Sequence, residues 1–401
     1  MAHLPNDSIG IYVHVPYCIK KCRYCDFVSF EKAPRDEYFE GLAEDVKKAA
    51  NALSNRKQHY VDAVFFGGGT PSLANCAQLG KVMDALHGSF EIRDAEITIE
   101  VNPETVTEEK ASELKALGFN RISMGVQSLN DEVLSGMGRV HNADRARRAF
   151  GTLRAAGFDN INLDLIFGAP GQDLNIWQDT LCEILEMRSE HISFYSLQLE
   201  EGTPLHDDYT SGRVDLPPWE ENRAMYRLAK DSLKDAGYHH YEVSNAALPG
   251  FECRHNLKYW NMQPYLGFGI SAHSFIDGCR GEADYSDSGK DVCGTLQDTV
   301  GSDRSSAGMQ GIFGLKPESK SDLKGDFIFT KLRLTDGFCL REYKEMFGTD
   351  FRTDFGDALS ELLKDGLLEQ SGENIRFSSV GLDNTNPVMS LLLEALEHRK
   401  P

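Results

Sequence analysis

The chain has 401 residues, long enough for two or three domains around substantial buried cores. Acidic residues outnumber basic ones, 62 to 42, and the net charge of −20 argues against non-specific attraction to nucleic acid or anionic membrane. No apolar run approaches the ~20 residues of a spanning helix, and the first residues carry neither a signal-peptide core nor an Arg-rich transit segment. The chain reads as soluble and cytoplasmic, with at most peripheral membrane contact; a mitochondrial or plastid address is the alternative if a transit segment has been trimmed. Nine scattered cysteines argue against a secreted disulfide framework and for a reducing compartment.

From Ile9 to about Gln198, short β-rich runs alternate with amphipathic helical stretches. Strands are expected at Ile9–Val15, Ala63–Phe66, Glu96–Val101, Arg121–Gly125, Asn160–Ile166 and His191–Gln198. Six βα units imply a parallel sheet, either open and doubly wound or curled into an incomplete barrel. Cys18 to Cys25, Gly67 to Pro71, Glu100 to Pro103, Gln127 and Gly168 to Gly171 fall at or just past the C-terminal ends of these strands. A (β/α) barrel builds its site there, so an α/β fold with a partial (β/α)6 barrel is expected.

Beyond Gln198, a helix over Trp219–Ala236 precedes a strand at His239–Val243 and a polar, aromatic stretch from Asn245 to Phe275. Gly278 to Asp326 is rich in Gly, Ser and Asp, and most of it reads as a mobile loop. From Phe327, helices at Leu340–Phe347 and Phe355–Lys364 are followed by Leu367–Glu369, a Ser-Gly-Glu-Asn turn, Ile375–Phe377 and a last helix from Asn386. That order describes a winged-helix-like α+β unit. Without clustered Lys or Arg it suits packing or partner docking better than nucleic-acid reading. The resulting division is 1–240, 241–326 and 327–401.

Three groups of residues carry chemistry. Cys18, Cys22 and Cys25 form a C-x3-C-x2-C triplet on a loop after the first strand. Three thiolates can hold three corners of a four-iron cluster and leave one iron open to a substrate. Zinc fits poorly, because no second knuckle or nearby His supplies a fourth ligand. The other six cysteines read as free, mostly buried thiols. The second group is Gly67-Gly68-Gly69-Thr70-Pro71, whose glycines permit close backbone approach to a ligand. The third is Asp164, a carboxylate between Leu163 and Leu165 in a strand, costly to bury unless bonded. His14 shares a strand face with Tyr12 and reads as a packed, hydrogen-bonded histidine.

With this spacing and placement, the triplet and the glycine run resemble the radical S-adenosylmethionine (SAM) superfamily. That resemblance implies a [4Fe–4S] cluster on Cys18, Cys22 and Cys25, with SAM on the open iron. Within the superfamily the chain is similar to the oxygen-independent coproporphyrinogen III oxidases and their haem-chaperone relatives of the HemW type. By motif correspondence, the cofactor contacts fall on Tyr12, Tyr24, Gly68, Gly69, Thr70, Glu100, Gln127, Arg139 and Asp164.

Two features separate the branches. The oxidases resemble C-x3-C-x2-C-x-C, and Phe27 stands here in place of the fourth cysteine. His255-Asn256-Leu257-Lys258-Tyr259-Trp260 resembles the chaperones' haem motif H-N-x-x-Y-W, which implies His255 as a haem-iron ligand with aromatic surface beside it. Cys253 ranks below it as a thiolate alternative. The expected function is a haem chaperone that carries the cluster and SAM and passes haem to a haem-requiring acceptor, such as a respiratory protein, with an electron donor serving the cluster. The alternative is a radical SAM coproporphyrinogen III oxidase. A winged-helix nucleic-acid binder is disfavoured by the acidic balance.

Overall fold

Six strands run parallel in chain order: β1 (Ser8–Val15), β2 (Tyr60–Gly68), β3 (Ile92–Val101), β4 (Arg121–Gln127), β5 (Ile161–Phe167) and β6 (His191–Ser196). The computed structural model describes residues 7–53, 59–283 and 313–397. Apart from segments of β3 and β6, these strands are nearly continuously buried, as parallel strands covered on both faces are. The covering helices are α1 (Asp36–Leu53), α2 (Cys76–Ser89), α3 (Glu108–Ala116), α4 (Asp131–Gly136), α5 (Ala143–Ala155) and α6 (Leu174–Met187). After β6 come α7 (Pro204–Thr210) and α8 (Trp219–Asp235). Several starts carry side-chain caps, among them the Asn75–Gln78 capping box of α2 and Asp173 before α6.

The sheet grows at both edges. At one, β7 (His239–Glu242) and β8 (Asn245–Ala247) form an antiparallel pair that joins β6. At the other, a short helix, α9 (Arg254–Trp260), leads into β9 (Tyr265–Phe268), which lies parallel to β1. The antiparallel strands β10 (His273–Ile276), β11 (Cys279–Glu282) and β12 (Lys316–Pro317) follow. Among the described residues the order is β12-β11-β10-β9-β1-β2-β3-β4-β5-β6-β8-β7. Tyr12, Phe65, Glu100, Ser123, Asp164 and Ser193, one from each of the six parallel strands, line a single cavity. The sheet therefore curls as an incomplete barrel, the architecture expected.

A second core gathers α10 (Lys320–Lys331), α11 (Leu340–Phe347), α12 (Phe351–Lys364) and a closing helix, α13 (Thr385–Glu397), around a three-stranded sheet. That sheet comprises β13 (Phe338–Cys339), β14 (Leu368–Ser371) and β15 (Asn374–Phe377), with β15 central. This is the winged-helix-like unit. Its aromatic centre, Phe327, Phe338, Tyr343, Phe347, Phe351 and Phe355, is closed by edge-to-face and tilted ring pairs. The unit is tied to the barrel through main-chain bonds from Val243 to Arg333 and from Thr335 to Tyr241, 3.0 and 3.1 Å.

Two expectations are refined here. The two ends of Gly278 to Asp326 are regular structure: Cys279–Glu282 and Lys316–Pro317 extend the sheet, and Lys320–Lys331 is a helix with Phe327 and Ile328 fully buried. Gly325 and the polar residues between Lys320 and Asp326 hide that helix from a compositional reading, and only packing against the aromatic centre selects it. Residues 284–312 lie outside the described residues. The remaining cysteines are also less buried than expected: of those described beyond the triplet only Cys253 is buried, and Cys182 is exposed.

Candidate functional site

The cysteine loop is pinned at its base. Tyr17 and Cys18 pair in parallel with Phe30 and Glu31, so both ends of the loop are fixed beneath it. Within it, the Cys25 amide donates to the Cys22 carbonyl at 3.2 Å. Two main-chain bonds hold Arg23, its amide to the Met137 carbonyl and its carbonyl to the Leu205 amide. Gly138 is needed for this approach: its φ is 77°, and an added Cβ would come within 2.8 Å of the Arg23 side chain. Burial raises the Cys18 thiol and pushes Cys25 up to about 11, so iron would have to displace protons from them. Among the described residues no three His, Cys, Asp or Glu side chains gather closely enough to chelate a single ion. Thiols that each serve a different iron of a cubane need no such closeness. Phe27, where a fourth cysteine would stand, is 65% exposed.

The glycine run does not begin as a loop. Gly67 and Gly68 are the last residues of β2, and the chain turns at Gly69 and Thr70 into a short 3-10 turn at Pro71–Leu73. At Gly68, φ is 114° and a Cβ would meet the His14 ring at 2.6 Å. A Cβ on Gly69 would lie 2.7 Å from the Tyr17 carbonyl and 3.0 Å from Cys18 Sγ. The run thus passes against the cysteine loop with no room for a side chain.

A polar chain joins the two loops. Thr70 Oγ1 donates to Cys18 Sγ at 3.7 Å, and Asn102 Nδ2 donates to Thr70 Oγ1 at 2.9 Å. Arg139 Nη2 donates to Asn102 Oδ1 at 2.8 Å and to the Gly125 carbonyl at 2.9 Å. Its Nη1 lies 3.3 Å from Cys22 Sγ. The neighbouring Tyr24 phenol is held well above its ordinary range by burial. Gln127 closes β4 with φ of 67° at a β-bulge, a left-handed backbone rarely adopted by non-glycine residues and typical of functional sites. Sequence reasoning missed Asn102, although its position two residues after Glu100, before Pro103, marked the end of a barrel strand.

Deeper in the barrel, Glu100 accepts from the Gly68 amide at 3.0 Å. Burial, and then the charge of Asp164, push its carboxyl up to about 8, so it is largely protonated at neutral pH. Asp164 is raised by burial but bonded to Ser123 at 3.1 Å and Asn162 at 2.8 Å. This satisfies the requirement that made a strand carboxylate notable. Asn162 in turn accepts from His191 Nδ1 at 2.6 Å. The Tyr12 hydroxyl meets His14 Nδ1 at 3.1 Å, and His14 Nε2 donates to the Val28 carbonyl at 2.8 Å. His14 is thus the packed, bonded histidine expected, and it links the cysteine loop to the barrel wall.

His255 sits on this same wall, in a helix and not in a polar loop. It belongs to α9, is 1% exposed, and stacks against Phe65 and Tyr12 with ring centroids 5.5 and 6.2 Å away, those two rings also lying 6.2 Å from each other. Its Nε2 shares a 2.7 Å hydrogen bond with the Tyr259 hydroxyl, and burial pushes its pKa down to about 3. Tyr259 packs edge-on against His255 and Tyr265, while Trp260 stacks beneath Arg333 at 4.8 Å. Gly10 lets α9 settle this closely, since a Cβ there would come within 2.8 Å of Lys258. Sequence reasoning also missed the ties of α9: Glu96, Asp62 and Ser8, none of them in a recognisable motif.

A model of the radical SAM superfamily matches residues 12–182, from the cavity's Tyr12 through the cysteine loop to α6. A model of the HemN C-terminal domain matches residues 319–383, the winged-helix-like unit. The "Heme chaperone HemW" of Lactococcus lactis is 31% identical over 396 residues, 98% of each chain. The chain belongs to the HemW family of radical SAM proteins. The HemW of Bacillus subtilis is 38% identical over 273 residues, 67% of this chain and 71% of its own. Escherichia coli coproporphyrinogen III oxidase, HemN, superposes with a TM-score of 0.77 over 98% of this chain and 91% of its own at 22% identity, and so shares the fold. Superfamily membership implies a [4Fe–4S] cluster and SAM, and three thiols beside a cradle that excludes any Cβ suit such a group. Among the described residues no helix is long and apolar enough to cross a membrane.

Proposed function

We propose that this protein is a haem chaperone that carries a [4Fe–4S] cluster and SAM, binds haem through His255, and passes it to a haem-requiring acceptor. What carries this reading is similarity to a HemW over 98% of both chains, together with His255-Asn256-Leu257-Lys258-Tyr259-Trp260 and Phe27 at the fourth-cysteine position.

Cys18, Cys22 and Cys25 would hold the cluster, with Arg139 countering the negative charge of Cys22. Gly68, Gly69 and Thr70 would line the path of SAM's methionine portion, and Tyr12, Tyr24, Glu100, Gln127 and Asp164 its remaining contacts. When bound, the cluster would supply an electron to SAM, delivered by a separate donor protein. Around it, Glu100 offers a carboxyl that a cationic ligand would draw towards its ionised form, and Asn102 holds Thr70 and Arg139 in register.

The test is an anaerobic haem titration followed by absorbance on wild type and His255→Ala. A clear loss of affinity in the variant is expected; equal affinity, or no haem binding by wild type, overturns the reading. Turnover of coproporphyrinogen III by the reconstituted protein would favour the oxidase instead.

A further inference from the structure

A haem iron bound by His255 needs an accessible ring nitrogen, and neither is accessible in this fold. Nε2 is bonded to Tyr259, while Nδ1 has no hydrogen-bond partner but is buried against Gly10, where a single added carbon would lie 3.2 Å away. The helix that carries the ligand is also tied down at both ends. At its N-terminus, Glu96 of β3 accepts from the Arg254 and His255 amides at 3.0 and 3.5 Å. Towards its C-terminus, the fully buried Lys258 ammonium reaches Asp62 of β2 at 2.7 Å and Ser8 of β1 at 3.0 Å.

What lies on either side of α9 gives this arrangement a purpose. His255, Asn256 and Tyr259 close the barrel cavity alongside Tyr12, Glu100 and Asp164, residues assigned above to SAM. Asn261 and Met262, directly after the helix, line a cleft of about 1370 Å³ between the sheet edge and the winged-helix-like unit. Its lining mixes charges of both signs, with Lys331 paired to Glu342 and Arg341 to Glu373. The helix therefore stands between the enclosed barrel cavity, about 170 Å³, and the much larger cleft.

We propose that α9 is a displaceable plug: haem binding draws His255 out of the barrel, and SAM bound against Tyr12 and Glu100 opposes that withdrawal. The inference rests on His255 being the haem ligand. Two ligands that favour opposite positions of one element weaken each other's binding reciprocally. Glu96 and Asp62 are then positioning residues that set how readily the ligand is released.

The experiment uses the anaerobically reconstituted full chain. Haem is titrated with and without saturating SAM, and hydrogen–deuterium exchange of the 253–262 peptide is followed with and without haem. SAM should weaken haem binding by roughly 5- to 150-fold, the usual span of such couplings, and haem should strip protection from the α9 amides. Asp62→Asn, which loosens one tie, should bind haem several-fold more tightly than wild type. Equal haem affinity with and without SAM, or full protection of α9 in the haem-saturated wild type, refutes the plug; this second readout needs no variant. Should His255→Ala bind haem as wild type does, the ligand assignment itself fails. Dependence on His255 with unchanged α9 protection leaves that assignment standing and removes only the plug.

Discussion

Replacing Glu100 with glutamine should stabilise the cluster-free protein at alkaline pH and leave its stability almost unchanged near pH 5. The Glu100 carboxyl is raised from 4.5 to about 8, first by burial and then by Asp164. Above the ordinary carboxylate range the unfolded chain has lost a proton that the folded protein still holds. Folding stability therefore falls as pH rises from about 4.5 to about 8, then levels. At about 1.4 kcal/mol per pKa unit, the full displacement corresponds to about 5 kcal/mol. The side chain keeps partial contact with the cavity, and screening reduces the expected difference to about 2–3 kcal/mol. Glutamine preserves an acceptor for the Gly68 amide but has no proton to lose, so it escapes the penalty. Anaerobic urea denaturation of both proteins across this pH range measures the difference. A gap that does not widen with pH, or a variant less stable at pH 8.5 than wild type, would refute the assignment of a raised carboxyl at Glu100.

Other perturbations follow from the same geometry. Gly69→Ala places a carbon 2.7 Å from the Tyr17 carbonyl and 3.0 Å from Cys18 Sγ; iron and sulfide per chain after reconstitution should fall to less than half of wild type. Arg139→Met leaves Asn102 Oδ1 and the Gly125 carbonyl without their donor. A loss of about 2–4 kcal/mol in denaturant unfolding is expected, with poorer cluster retention on gel filtration. Lys258→Met strands Asp62 in the interior; breaking a buried pair on one side costs roughly 3–5 kcal/mol, and a variant as stable as wild type in a thermal melt would contradict the burial described.

Much of the barrel was legible in one dimension. Strand runs with helical stretches between them carry their own periodicity, and Cys18 to Cys25, Gly67 to Pro71 and Glu100 declare themselves by residue type at strand ends. The winged-helix-like unit was legible for the same reason, since Leu340–Phe347 and the hairpin around Gly372 are patterned locally. Local pattern failed at Lys320–Lys331, whose apolar residues make a helix only once the aromatic centre stands opposite them. It failed again at Asn102, Asp62 and Glu96, ordinary polar residues whose importance lies in partners tens to nearly two hundred positions away.

His255 divides the two kinds of knowledge most sharply. The sequence by itself determined that a histidine stands in a haem-type motif and that a three-cysteine loop precedes a glycine turn, because those signals rest on residue identity and spacing. Only the tertiary structure decided that this histidine faces into the barrel, bonded to Tyr259 and stacked on Tyr12. That follows from β9 returning to pair with β1, which brings α9 against strands from the other end of the chain. Side chains seal a cavity according to where the sheet carries them, and no local pattern encodes that distance.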